Sequence, residues 1–298
     1  MTAASLPREG AAPEAREPIA AKLAVQLGPG LLWLVAFFAV PIVLLLVYSF
    51  YRFTDGVMIE TFTLENYARA LHDTIYVQVF GKSLRYGLVV TLACLAIGYP
   101  VAYFLARAAT RRRGLLFLAL IIPFWTSIVV RTYAWKMLLG TNGLVNYTLE
   151  ALGLIGAPIK MLYNETAVLV GLTHVFLPFM ILPLYAVLEK IDPSLEEAAM
   201  DLGADRARTF LRVILPLSLP GISTGCLLVF ILTIGSYLTP DLLGGPSEMM
   251  ISNLIRSEYY VTFNWPFGGA LAVLFLIITL AMIVVYNRLF KLERIVGN

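Results

Sequence analysis

Glu196-Glu197-Ala198-Ala199-Met200-Asp201-Leu202-Gly203, followed by Val213-Ile214-Leu215-Pro216, is a polar interruption in a greasy chain. It lies between two long apolar runs, and the sequence on either side reads as membrane-spanning. Mean hydropathy is +0.82 and 59% of the 298 residues are hydrophobic, whereas soluble domains run at roughly 45–50%. Charge-free stretches cover 23–51, 86–106, 114–130, 166–188, 213–240 and 259–287. Each holds, or nearly holds, the ~20 residues that cross ~30 Å of hydrocarbon at ~1.5 Å per residue. The third is short but continues past Arg131 to Leu139. A helix satisfies its own backbone hydrogen bonds in lipid, and the ~10-residue alternation of barrel strands is absent. The expected fold class is an all-α membrane protein with six transmembrane helices, at about Leu31–Phe50, Tyr86–Ala106, Gly114–Leu139, Ala167–Leu188, Leu219–Thr239 and Phe267–Phe290.

Orientation follows from Lys and Arg. With the N-terminus in the cytoplasm, 14 of these residues fall on cytoplasmic segments and 6 on outer ones, while Arg131 and Lys136 lie within the third span. Arg107 to Arg113 is the densest cluster in a short loop, so both termini are expected to be cytoplasmic. The net charge of +3 reflects this bias and does not point to nucleic acid. Residues 1–30, rich in Ala, Glu and Pro, read as a disordered cytoplasmic tail. They do not resemble a cleaved signal, because the apolar run that follows is too long. The remainder, 31–298, is expected to be one transmembrane domain. The outer segment, about 51–80, carries a short surface helix from Leu64 to Leu71, and Asn142-Gly143 marks a turn in a second outer loop. Pro41 is a kink in the first span.

The interruption occupies the loop between the fourth and fifth spans. Asp192-Pro193-Ser194 is a helix start, with Glu196 and Glu197 close behind. The stretch 195–212 reads as an amphipathic helix pair with Leu195, Ala198, Ala199, Leu202 and Phe210 on its apolar faces. Gly203 breaks the pair, and a glycine there bends the backbone or lets another surface approach. Pro216 and Pro220 end the segment and restart the next span.

Glu197-Ala198-Ala199-x-x-x-Gly203, nine residues, then Val213-x-Leu215-Pro216 closely resembles the EAA motif of permease subunits in bacterial ABC importers. The family pattern has Ile where this chain has Val213. Pro123-Phe124-Trp125-Thr126-Ser127, Leu177-Pro178-Phe179-Met180, Pro240-Asp241-Leu242-Leu243-Gly244-Gly245 and Asn264-Trp265-Pro266-Phe267-Gly268 resemble the first permease subunit of spermidine/putrescine-type importers. The resemblance implies a type I ABC importer permease fold in the bacterial inner membrane. It also implies a coupling helix near 193–212 that docks on an ATPase subunit through Glu197, Ala198, Ala199, Asp201 and Gly203. The implied partners are a second homologous permease, two ATPase subunits and a periplasmic solute-binding protein. Close relatives of the same appearance serve opines, aminophosphonates and 4-aminobutyrate.

No Gly-x-x-x-x-Gly-Lys-[Ser/Thr] loop is present and no loop has room for a nucleotide-binding fold, so the chain itself is not expected to be an enzyme or to hold a cofactor. ATP and Mg would be bound by the partner ATPase subunits. A gradient-driven transporter would carry its ion on buried carboxylates, but every Asp and Glu lies outside the charge-free stretches. Cys94 and Cys226 lie within spans and show no metal-ligand spacing. No catalytic pair is visible either.

A solute needs a polar path between helices, and few groups qualify. Arg131, with Trp125, Thr126 and Tyr133, reads either as an interfacial aromatic belt with anchoring cations or as the lining of the pathway. Tyr237 and Asp241 end the fifth span, and an aromatic face beside a carboxylate suits an alkylammonium. Arg131 would repel a polycation unless Asp241 or another carboxylate paired with it. Asp241 also reads as a helix-end or turn residue. Glu248 and Glu258 are expected to face the binding protein or water, and His174 to make a helix–helix hydrogen bond.

Overall fold

A computed structural model describes residues 19–108 and 110–290. The chain divides into two units, Met1–Val47 and Tyr48–Asn298. In the first, helix α1 (Ile19–Leu34) runs through a wide π-turn, Val35–Ala39, into α2 (Val40–Tyr48). The tail expected over 1–30 is therefore helical from Ile19. Ile19-Ala20-Ala21-Lys22-Leu23-Ala24 are adequate to good helix formers, and Pro29 is accommodated within the helix. Residues 1–18 of that tail, and the cations Arg8, Arg16, Lys291 and Arg294, lie outside the described residues. At the site of the expected Pro41 kink, the Val40 N–H reaches back to the Val35 carbonyl, giving the wider turn just before the proline.

The second unit opens with a β-hairpin that the sequence analysis did not anticipate. Strands β1 (Tyr51–Thr54) and β2 (Val57–Phe62) pair antiparallel around Asp55-Gly56. Both turn residues have positive φ, +53° and +79°, the signature of a type I′ turn whose twist matches that of the strands. The expected surface helix follows as α3 (Glu65–His72). Helix α4 (Thr74–Arg107) begins where Asp73 Oδ1 accepts from the Ile75 N–H at 2.9 Å. It starts well before the expected Tyr86 because Thr74 to Arg85, although polar in part, continue the helix outside the apolar stretch.

The third span is broken rather than continuous. Helix α5 (Thr110–Ile121) passes into a 3-10 turn, Ile122–Trp125, and α6 (Ile128–Leu139) restarts, so that Gly114–Trp125 and Ile128–Ala151 meet at 87°. Pro123 supplies no N–H to the preceding turn. Thr126 and Ser127 are extended, and Ser127 Oγ caps the new helix by accepting from the Val129 N–H at 3.2 Å. Gly140 to Gly143 form the expected turn, closed by Gly143 N–H to Gly140 O at 2.8 Å, before α7 (Leu144–Ala151).

Helix α8 (Glu165–Leu188) matches the expected fourth span and is capped by Asn164 Oδ1 accepting from Ala167 N–H. After α9 (Ser194–Asp201) and α10 (Arg206–Thr209), a π-turn at Phe210–Ile214 leads directly into α11 (Leu215–Ile234). Pro216 therefore does not separate the loop helix from the fifth span. The Leu215 N–H reaches Phe210 O, one residue further back than in an α-helix, so the proline follows a widened turn and the helix runs on. Helices α12 (Leu238–Leu243), α13 (Ile251–Tyr260) and α14 (Trp265–Phe290) complete the described residues. Among the described residues, five helical stretches are long and apolar enough to cross a membrane, and the bent pair α5/α6, taken as one span, makes a sixth.

The core of the second unit is a seam between α4, α8 and α11. Tyr86, Leu172, Met180, Ile181 and Leu184 are fully buried in it. Cys94 is buried there and Cys226 half-buried, both as free thiols. A second cluster joins Tyr76 of α4 to Ile251 of α13 and Phe267 of α14. There the Arg69 guanidinium lies 4.2 Å from the Phe267 ring centre.

Candidate coupling and translocation sites

At one end of the bundle the Glu196-to-Gly203 stretch forms a projecting knob. Asp192 Oδ1 accepts from the Ser194 N–H at 2.9 Å, a bond that holds its carboxyl below the usual carboxylate range and starts α9 where the Asp-Pro-Ser signature places it. Glu197, Ala198, Asp201 and Gly203 are exposed, and Ala199 is half-buried. Gly203 has φ +87°, which favours glycine, and nothing lies within 4 Å of where its Cβ would stand. Leu202 is 90% exposed, and Leu195 and Met200 are also exposed. The expected apolar faces are therefore not all turned inward. Asp205 Oδ1 caps α10 through the Arg208 N–H at 2.7 Å.

Behind the knob, Glu196 is tied to the bundle. Arg107 Nη2 donates to its Oε1, Tyr103 OH donates to Oε2 at 3.1 Å, and Arg107 Nη1 donates to Ile191 O at 3.1 Å. Tyr99, Met200, Thr209 and Phe210 join Tyr103 and Glu196 around a cleft of about 630 Å³. Sequence reasoning singled out Glu197 and missed this pair; partners 89 residues apart leave no local signal.

At the break in the third span, Trp125 is 88% exposed and Thr126 Oγ1 donates to Pro123 O at 2.7 Å. One turn on, Arg131 is half-buried with its guanidinium 5.3 Å from the Phe124 ring centre. Its Nε and Nη1 are buried with no hydrogen-bond partner among the described residues. The His174 ring lies 5.9 Å from that of Phe124 and 5.5 Å from that of Trp135. Its Nδ1 is also buried without a partner among the described residues, so the helix–helix hydrogen bond expected of it is not made through that atom. Tyr133 is exposed, with Lys136 Nζ 6.0 Å from its ring centre.

Tyr237 and Asp241 belong to a different group. Arg256 of α13 donates to Asp241 Oδ2 at 2.8 Å, Asn253 donates to Oδ1, and the Arg256 guanidinium sits 5.4 Å from the Tyr237 ring centre. Tyr237 and Arg256, with Tyr259 and Tyr260, line a cleft of about 620 Å³. Helices α6 and α12 pack together. Even so, the carboxylate considered as a partner for Arg131 is taken by Arg256, which reaches it from the next helix. Burial raises the Tyr259 phenol above its ordinary range.

Glu248 is not a free surface carboxylate as expected. Tyr86 OH and Ser247 Oγ donate to it, Lys82 Nζ lies 3.7 Å away, and Lys82 also donates to Ser247 O. Burial pushes its carboxyl up, but these donors outweigh burial and hold it below the usual carboxylate range. Nearby, Arg85 donates to Glu165 at 2.7 Å. Glu258 accepts from Thr262 Oγ1 at 2.6 Å.

Residues 29–292 match the model of the binding-protein-dependent transport system inner membrane component. The spermidine/putrescine transport system permease protein PotB of Escherichia coli (strain K12) is 42% identical over 261 residues, 87% of this chain and 94% of that protein. The inner membrane ABC transporter permease protein YdcU of the same organism is 32% identical, covering 89% of this chain and 87% of its own. In fold, the chain is similar to a bacterial ABC transporter involved in import of the acidic polysaccharide alginate, at TM-score 0.74, 17% identity and coverage of 91% and 95% of the two chains. An exposed EAA knob on a chain of long apolar helices, a family match across nearly the whole chain and this identity agree: the chain belongs to the inner membrane permease components of binding-protein-dependent ABC transport systems.

Proposed function

We propose that this protein is a permease subunit of an ATP-driven importer for a polyamine of the spermidine/putrescine type. The observation that carries this reading is the 42% identity to PotB over 87% of the chain. The chain pairs with a second, homologous permease around a central pathway in the inner membrane. A periplasmic binding protein delivers the solute, and two ATPase subunits bind ATP and Mg and close on the coupling helices. The knob end and the chain termini face the cytoplasm, in keeping with the positive-inside bias. Glu197, Ala198, Ala199, Asp201 and Gly203 dock on the ATPase, which the exposure of all but half-buried Ala199 on α9 and the turn after it supports. Rigid-body motion through α9 to α11 then alternates access to a pathway lined by Trp125, Thr126, Arg131, Tyr133, Tyr237 and Asp241.

A second reading keeps the importer and changes the solute. Arg131 carries buried guanidinium nitrogens without partners among the described residues, and a solute bearing a carboxylate or phosphonate, such as 4-aminobutyrate, an opine or an aminophosphonate, would suit it better than a polycation. The test is ATPase activity of the complex in lipid nanodiscs with solute-loaded binding proteins. Stimulation by spermidine or putrescine alone supports the polyamine reading, and stimulation by 4-aminobutyrate, an opine or an aminophosphonate replaces it. Absence of any co-purifying ATPase subunit overturns both. Glu197→Ala combined with Gly203→Leu should leave ATP hydrolysis uncoupled from transport; intact coupling would sink the docking assignment.

A further inference from the structure

We propose that Glu196, the residue just before the EAA motif, is the positioning residue through which the knob moves the bundle, with α4 as the strut that carries the motion to the far end. The inference rests on the importer reading above. On α9 the motif residues Glu197, Ala198 and Asp201 face outward, leaving Glu196 as the charged side chain of that helix that turns to the bundle. It is grasped by two residues of α4, Arg107 and Tyr103, one helical turn apart. Both ion-pair side chains are only 20% exposed, so water and salt screen them less than a surface pair. The same guanidinium also holds the Ile191 carbonyl in the turn between α8 and α9. One cation thus fixes both the knob and its hinge to a single helix.

Helix α4 has 34 residues without a break, which at ~1.5 Å per residue spans roughly 50 Å. Its other half is fastened as well, over the stretch Lys82 to Tyr86. Tyr86 and Lys82 grip Glu248 and Ser247 of the segment between α12 and α13, and Arg85 holds Glu165 at the start of α8. A displacement of α9 that is transmitted to Arg107 must therefore be felt at Glu248. By linkage, a load placed on the Glu248 segment must bias the knob.

The experiment compares Glu196→Gln, Tyr103→Phe and the exchanged pair Arg107→Glu/Glu196→Arg in the full complex in nanodiscs. The readout is solute transported per ATP hydrolysed, with ATPase co-purification scored in parallel. Glu196→Gln should lower transport per ATP roughly tenfold, because hydrogen bonds to charged groups are the strong ones. Tyr103→Phe, which removes a single bond, should lower it about two- to threefold. The exchanged pair should recover part of the loss, because it restores the ion pair but not the bonds to Tyr103 OH and Ile191 O; a role for either residue outside the pair predicts no recovery. Unchanged coupling in Glu196→Gln overturns the proposal, as does an exchanged pair that assembles without recovery. If Glu196→Gln fails to assemble, unchanged coupling in Tyr103→Phe overturns it. A wild-type complex whose ATPase ignores every loaded binding protein would instead refute the importer reading.

Discussion

Helices α8 and α11 approach so closely that two glycines on α11 should respond in opposite ways to the same added methyl. At Gly221 a Cβ would stand 3.0 Å from Pro183 O and 3.1 Å from Leu184 Cα, both backbone atoms of α8. Relief there requires the helices to part by a few tenths of an ångström along a packed seam, and overpacking of this kind costs ~1–3 kcal/mol. Alanine returns up to ~1 kcal/mol of helix propensity, so Gly221→Ala should be destabilising by about 1 kcal/mol net. At Gly225 the nearest atom is Met180 Sδ at 2.7 Å, the tip of a flexible side chain, with Met180 O behind at 3.3 Å. A thioether can swing aside, so Gly225→Ala should be neutral or slightly stabilising. Thermal unfolding of the purified complex in nanodiscs, followed by fluorescence, should place the Gly221→Ala midpoint about 2 °C or more below that of Gly225→Ala. A Gly221→Ala midpoint at or above that of Gly225→Ala would refute the claim that backbone contact sets the α8–α11 spacing.

Two further outcomes follow from groups outside the bundle. The Glu248 carboxyl is held below its ordinary range, so its stabilising contribution is full above that range and is lost as pH falls through the lowered value. Melting midpoints should drop on acidification in wild type and drop less in Glu248→Gln, and equal slopes would remove Glu248 from the account. Gly56 has φ +79° in the hairpin turn, so Gly56→Val should cost ~1–2 kcal/mol locally. It should also speed amide exchange across 51–62, and unchanged protection would contradict the turn type.

Apart from the third, which holds Arg131 and Lys136, the spans were legible because each is a long run without charge. The EAA knob was legible because Glu197-Ala198-Ala199 and Gly203 stand in a loop whose polarity breaks the pattern. The hairpin was written in Thr54-Asp55-Gly56-Val57, an Asp-Gly turn between alternating side chains, but it is short and sits in a segment read as surface helix and coil. The break in the third span was harder to see. Both halves are apolar, and only Pro123 followed by Thr126-Ser127 marks a stop and a restart. Residues that act together across distance were not legible at all. Glu196 finds Arg107, Glu248 finds Tyr86 and Asp241 finds Arg256 through tertiary packing. The pairing considered between Asp241 and Arg131 failed because α13, whose position local sequence does not reveal, supplies a nearer cation.

Cys94 and Cys226 are the two cysteines of the chain, and both stand within helix packing as free thiols. A thiol reacts through its thiolate and only where water and reagent can reach it. The natural protein is thus close to a silent background for thiol chemistry. A single cysteine placed at exposed Leu202 on the knob, or at exposed Tyr260, the last residue of α13, would stand out against it. Charged maleimides that do not cross the bilayer could then report directly which end of the bundle faces which compartment. The same two positions, labelled in turn, could follow the knob and the end of α13 through a transport cycle without first replacing Cys94 or Cys226.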